Sequence, residues 1–398
     1  MFEPQVQLRP RRTTTPEPAP GARPWTAPLR HAAPALIGYV AVRLTGMAIL
    51  LVLAAVRGED GMRRLYGRWD SLWYQRIAEE GYGHTAVLED GSLHSDLAFF
   101  PLMPALERAV SFLLPPVDVA GAGLLVSWGA SLAAAWGIFA VGARLYGRRA
   151  GTLLAVLWGA YPTAFVQSMA YTETLFTALA AWSLYAVLRD RWITAGLLSV
   201  GAGLTRPVAV ALVAAIGMAA VWRTVTTRRV FRGHGRMWAG VLLAPLGWLS
   251  YVCFVAVREG NAFAYFEVQA GWDNRIDGGV ALAGFVGEQF GRNAVVGVGL
   301  CAAFGVLFWA VWRSLRVKPV PPLPVAVYCV AVVVISLVGS GYFGSRPRLM
   351  MPAFPLLLAP AVALAGVGRR WVVMAVVTSA AIASGAYGAV ALLGPGPP

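Results

Sequence analysis

A carboxylate placed to take a proton from a hydroxyl, and arginines placed to hold an anion, are the chemistry this sequence offers. Five short segments carry them. The first runs Trp69-Asp70-Ser71-Leu72-Trp73-Tyr74 and on to Tyr82. Read as a helix from Ser71 to Glu80, it puts Trp73, Tyr74 and Ile77 on one side, with Asp70 at its start on that same side. Asp70 either caps the helix, a role aspartate favours, or faces a cavity, and the two are compatible. The second segment, Asp96 to Pro104, has two prolines and reads as a short re-entrant or interfacial piece whose Asp96 could line the same cavity. In the third, Tyr171-Thr172-Glu173, the glutamate either stabilises the first turn of a following helix or faces a polar cavity. The fourth, Leu204-Thr205-Arg206-Pro207, sets an arginine at the break between two apolar runs, where it either serves a site or snorkels to headgroups. The fifth, Tyr342 to Pro355, brings Arg346 and Arg348, whose guanidinium forks suit phosphate or lipid headgroups.

The elements that must position these residues follow from composition. Of 398 residues 58% are hydrophobic and 13% charged, about half the charge of a soluble domain. This excludes a disordered or fibrous chain and points to an all-α polytopic membrane protein. A net charge of +14 would suggest nucleic acid in a soluble protein; here the positive-inside rule accounts for it, and nucleic acid is not an expected partner. Residues 1–34, rich in Pro, Arg and Thr, read as a disordered cytoplasmic tail. About eleven apolar runs follow within a membrane domain spanning 35–393: 35–56, 119–141, 149–166, 171–188, 192–206, 208–222, 237–257, 294–313, 323–341, 348–367 and 371–393.

With the tail in the cytoplasm and the runs alternating, 20 of the 33 basic residues fall inside and 16 of the 19 acids outside. An integral, multi-pass plasma-membrane protein is expected, with the N-terminus cytoplasmic and the five segments extracytoplasmic. Two outer loops, 57–118 and 258–293, are long enough to be functional. The first is expected to hold amphipathic interfacial helices. Trp69, Trp73, Tyr74 and Tyr82 suit a headgroup boundary. Arg43, inside the first run, is expected to snorkel toward the cytoplasm. The spans are nearly free of acids, which argues against the alternative of an ion-coupled transporter or a lipid flippase. No Walker A, Rossmann or zinc-protease pattern is present, and neither a cofactor nor a metal site is expected.

Taken together, W-D-x-x-W-Y-x-x-I-A-x-x-G-Y (Trp69 to Tyr82), A-F-F-P-L-x-P (Ala98 to Pro104), Y-T-E-T-L-F (Tyr171 to Phe176), L-T-R-P (Leu204 to Pro207) and R-x-x-M-P-A-F-P (Arg348 to Pro355) occur in order. In this the chain resembles the PIG-V family of mannosyltransferases, related to GPI mannosyltransferase II, within the GT-C superfamily, from about residue 35 to 370. Trp73-Tyr74 depart from the His-Phe that the family often has. The resemblance implies a GT-C-like fold whose first outer loop carries an essential acid, Asp70 by motif. It also implies transfer of mannose from polyprenyl-phosphate mannose, with inversion, to an extracytoplasmic hydroxyl of a lipid, glycan or protein. Physically, such a donor needs a cavity at headgroup depth, a base for the acceptor proton and cations for the leaving phosphate. Asp70 is the candidate base and Arg206, Arg346 and Arg348 the candidate cations. Trp69, Trp73, Tyr74, Asp96, Tyr171, Glu173 and Tyr342 are the remaining candidate substrate contacts, beside membrane lipid.

Overall fold

The computed structural model describes residues 26–87, 93–227 and 234–396. Its helices, in chain order, are α1 (Thr26–Val56), α2 (Arg63–Tyr66), α3 (Asp70–Glu80), α4 (Leu102–Leu113), α5 (Val119–Tyr146), α6 (Arg148–Gly159), α7 (Glu173–Leu188), α8 (Trp192–Gly203) and α9 (Val210–Thr227). Then come α10 (Gly235–Leu243), α11 (Leu246–Glu259), α12 (Ala264–Gly271), α13 (Val280–Arg292), α14 (Ala294–Leu315), α15 (Leu323–Val338), α16 (Arg346–Met350), α17 (Leu358–Gly366) and α18 (Arg370–Leu393). Within the described residues the one sheet is a hairpin of β1 (Thr85–Val87) and β2 (Leu93–Ser95), antiparallel with Ala86 opposite His94. The protein is an all-α polytopic membrane protein.

Each of the eleven apolar runs holds helix. Among the described residues six helices are long and apolar enough to cross a bilayer, and a seventh span forms if the pair bent by 75° around Met350–Phe354 counts as one. The other four, α6, α7, α8 and α15, have 12 to 16 residues. At 1.5 Å per residue they reach only about 18–24 Å. Non-helical backbone completes their path, which is tolerated at membrane depth only where protein covers it. The turn after α6 meets that condition. Gln167 is buried, accepts from the Tyr39 hydroxyl at 2.9 Å and donates to the Trp158 carbonyl at 2.8 Å. Trp128 Nε1 donates to the Ser168 carbonyl at 3.0 Å.

One boundary and one side chain differ from the sequence reading. The first helix begins at Thr26, so the tail cannot extend to residue 34 as a coil; residues 1–25 lie outside those described. Arg43 does not snorkel. Its Nη2 donates to Ser168 Oγ at 2.6 Å and its Nη1 to the Gly159 carbonyl at 3.3 Å, so α1 is tied into the bundle at mid-length. A polar group that finds hydrogen bonds inside a bundle has no need of the distant interface.

The core gathers around α5, which packs on α6 and α7; α1 lies against α6 and α18, α8 against α7 and α10, and α9 against α15. Small residues allow the closest crossings. A Cβ on Gly247 of α11 would fall 1.9 Å from the Val200 carbonyl oxygen of α8, and one on Gly203 would fall 2.5 Å from the Trp248 backbone nitrogen. This crossing presses the end of α8, three residues before Arg206, against α11.

The loop after α1 folds as expected into amphipathic helices. Tyr74 and Ile77 of α3 are buried with Phe99 and Met103, and Trp73 packs on them. At the tip of α4, Phe112 and Leu113 are exposed, an apolar point suited to an interface. The 258–293 loop docks on this layer. Trp272 Nε1 donates to the Ser95 carbonyl at 2.9 Å, Gln269 Nε2 to that of Ala98 at 3.1 Å, and Arg258 Nη2 to that of Tyr82 at 2.8 Å. Basic links gather elsewhere: Arg144 donates to the Leu188 carbonyl, Arg149 to that of Val367, and Arg223 pairs with Asp190.

Candidate active site

Four chain segments meet at one ionic network. Asp70 is the first residue of α3, directly after Trp69, whose backbone takes the left-handed φ of 54°. Few residues other than glycine adopt that conformation without cost, and it marks a constrained turn. The Asp70 carboxylate does not cap its helix. It leaves the backbone and meets Arg348 of α16, Nη1 to Oδ2 at 3.0 Å. Arg348 Nε lies 3.4 Å from Glu173 Oε1, the same oxygen that Arg206 Nη1 approaches to 2.6 Å. The order is therefore Asp70, Arg348, Glu173, Arg206, two anions alternating with two cations.

The surroundings set the role of each. The Glu173 side chain is 1% exposed, so it is not open to a ligand; it anchors both arginines. Its place at the start of α7 adds the favourable end of the helix dipole. Arg206 also donates to Thr172 Oγ1 at 3.1 Å, and Tyr74 OH lies 3.3 Å from that same hydroxyl. The Tyr171 hydroxyl accepts from the Asp70 backbone N–H at 3.3 Å, while its ring lies under the Arg348 guanidinium at 5.1 Å. Burial raises the Tyr74 phenol well above its usual range, helped by the Asp70 charge, so it stays a neutral hydrogen-bonding group. Asp70, 28% exposed, is the most open member of the four.

Asp70, Tyr74, Tyr171, Glu173, Arg206 and Arg348 thus come together. Five other candidates stand apart. Asp96 is buried, and its Oδ2 accepts the backbone N–H groups of Gly83 and His84 at 2.8 Å each; it fastens the hairpin and lines no cavity with Asp70. Arg346 is buried and donates to the carbonyls of Ser336, Leu337 and Gly339, satisfying the end of α15 where a phosphate ligand had been expected. Tyr342 is 59% exposed and outside the network. Trp69 packs against the core with Arg68 over its ring at 4.0 Å. Trp73 joins an aromatic cluster, stacked on Phe99 at 5.5 Å and edge-on to Trp272 at 5.1 Å, one helical turn from Asp70.

Two features escaped the sequence. Thr172 was only a neighbour in a motif, yet it is buried and joins Arg206 to Tyr74. Glu107 of α4 was not singled out by any motif. It is fully buried, and neither carboxylate oxygen has a hydrogen-bond partner among the described residues. Burial pushes its carboxyl up from 4.5 to about 9, with Glu79 adding to the rise. The folded protein therefore keeps a proton that the unfolded chain releases above 4.5, and stability falls as pH climbs from there toward about 9. Glu107→Gln is expected to abolish that descent and to raise the unfolding midpoint at about pH 8. Thermal unfolding of the detergent-solubilised protein across this range checks it; an unchanged slope would count against the assignment.

An apolar groove of about 390 Å³ lies between α4, α5, α7 and α8, lined by residues including Leu106, Val126, Ala130, Leu175, Trp182 and Leu198. Val126 and Leu175 also pack against the cluster that holds Tyr74 and Phe99. None of the four network residues lines the groove. Among the described residues, no group of three or more His, Cys, Asp or Glu could hold a metal ion.

No family model and no curated protein matches the chain. Solved structures do. ArnT from Cupriavidus metallidurans bound to undecaprenyl phosphate superposes with a TM-score of 0.52 at 15% identity, covering 86% of this chain and 63% of that one. The apo structure of the same protein gives 0.50 at 17%, covering 84% and 64%. This chain spans less than two thirds of the length of those chains. The likeness is one of fold.

Proposed function

We propose that the protein is a membrane glycosyltransferase that moves a hexose from a polyprenyl phosphate to an acceptor hydroxyl on the extracytoplasmic side. The motif resemblance makes that hexose mannose and the outcome inversion. The observation that carries the reading is the convergence of Asp70, Glu173, Arg206 and Arg348, drawn from four separate motifs, into one network. In the reaction the bond from sugar C1 to the phosphate oxygen breaks and a bond from the acceptor oxygen to C1 forms. Asp70 takes the hydroxyl proton. A free aspartate is a weak base, which suffices where the sugar is already oxocarbenium-like and the proton moves late. The donor phosphodiester leaves as a phosphate monoester with one more negative charge, and a guanidinium beside it lowers the cost of that charge.

Three further observations support the reading. The apolar groove between α4, α5, α7 and α8 suits an isoprenoid chain. A similar fold has been solved with undecaprenyl phosphate bound. The basic links at the α5–α6, α7–α8 and α17–α18 turns fit a cytoplasmic face, leaving Asp70 on the other. The test is incubation of membranes containing the protein with labelled polyprenyl-phosphate mannose and, separately, polyprenyl-phosphate glucose. Label is expected to pass from the mannosyl donor to a membrane lipid, glycan or protein. Transfer from neither donor would overturn the function, and transfer from glucose alone would overturn the sugar.

A further inference from the structure

The network is neutral as it stands: two carboxylates and two guanidiniums, all but Asp70 nearly sealed from water. A polyprenyl phosphosugar brings one more negative charge. In a poorly hydrated site that charge must be met by a cation, so a guanidinium has to change partner. The geometry discriminates between the two. Arg206 is 2.6 Å from the fully buried Glu173 and is also held by Thr172 at 3.1 Å. Arg348 is shared, 3.0 Å from Asp70 and 3.4 Å from Glu173. Its partner Asp70 is the one carboxylate of the pair that water can reach and solvate once released.

We propose that Arg348 is the phosphate-binding residue and that the donor phosphate takes it by displacing Asp70. Glu173 Oε1 lies 3.4 Å from Nε, an ion pair that stays in place while the guanidinium pivots. Without donor, Asp70 Oδ2 is ion-paired with Arg348 at 3.0 Å. With donor, the carboxylate is free to accept the acceptor proton. Asp70 is therefore released from its ion pair only when there is a sugar to transfer. This inference rests on the donor being a polyprenyl phosphate.

The experiment measures the dissociation constant of a polyprenyl monophosphate for the purified full-length protein, its Asp70→Asn and Arg348→Met variants, and the double variant. If phosphate and Asp70 compete for Arg348, Asp70→Asn binds about tenfold more tightly than wild type. Arg348→Met binds about tenfold or more weakly, and in its background Asp70→Asn changes affinity less than about twofold. Equal tightening in both backgrounds would mean through-space repulsion and overturn the exchange. So would an unchanged or weakened Asp70→Asn. Absence of binding by every protein, wild type included, would bring down the donor assignment itself. If Arg348→Met does not fold, Arg348→Lys serves in its place; it keeps the charge but lacks the fork that spans both carboxylates, and the gain from Asp70→Asn is expected to shrink there too.

Discussion

Asp70→Asn is expected to lower sugar transfer by about 10²–10⁴-fold, the usual worth of a positioned general base, while the protein still inserts and folds. The substitution keeps the shape of the side chain beside Arg348, whose Nη1 lies 3.0 Å from Oδ2. It removes the charge that receives the acceptor proton. Stability is expected to change little, because Asp70 is 28% exposed and helix α3 is not capped by its carboxylate. Initial rates with labelled polyprenyl-phosphate mannose, set beside gel-filtration profiles of the two proteins, check both halves. Transfer within about tenfold of wild type would rule out Asp70 as the base. A loss of activity accompanied by aggregation would instead make it a structural residue.

Glu173 is expected to behave in the opposite way, with stability as the first casualty. Its carboxylate is 1% exposed and holds two guanidiniums that are themselves only 13% and 10% exposed. Removing one partner of a buried ionic cluster leaves charge without compensation and costs about 3–5 kcal/mol. Glu173→Gln keeps the volume and cancels the charge, so Arg206 would lose its only carboxylate partner among the described residues, and Arg348 one of two. The unfolding midpoint in detergent is expected to drop sharply and transfer to be lost with it. A variant that unfolds within about 1 kcal/mol of wild type would show that the pair contributes little, as exposed ion pairs do.

The two glutamates and the two arginines of the fifth motif mark how far the sequence could be read. Glu107 lies in the middle of α4 and Glu173 at the first residue of α7, and neither place along the chain tells what surrounds the carboxylate. Glu173 is ion-paired with two arginines, and Glu107 has no ion-pair partner among the described residues. Arg346 and Arg348 are two positions apart on one helix, a spacing that turns side chains away from each other. One therefore ends on the carbonyls of α15 and the other in the ionic network. Asp96, judged a companion of Asp70, serves the backbone of Gly83 and His84.

The sequence by itself determined the solvent. Apolar runs and the uneven spread of arginine are summed quantities, and hydrophobic burial responds to such sums without regard to partners. It also determined that polar residues sit in five places outside those runs or at their ends, and that the first loop is amphipathic. Only the tertiary structure decided which of those residues meet. An ion pair forms over about 3–4 Å, whereas Asp70, Glu173, Arg206 and Arg348 lie on separate segments of the chain. Their distances depend on how α3, α7, α8 and α16 pack. Close crossings such as that of Gly203 and Gly247 set part of this packing, and they are matters of shape between helices rather than of order along the chain.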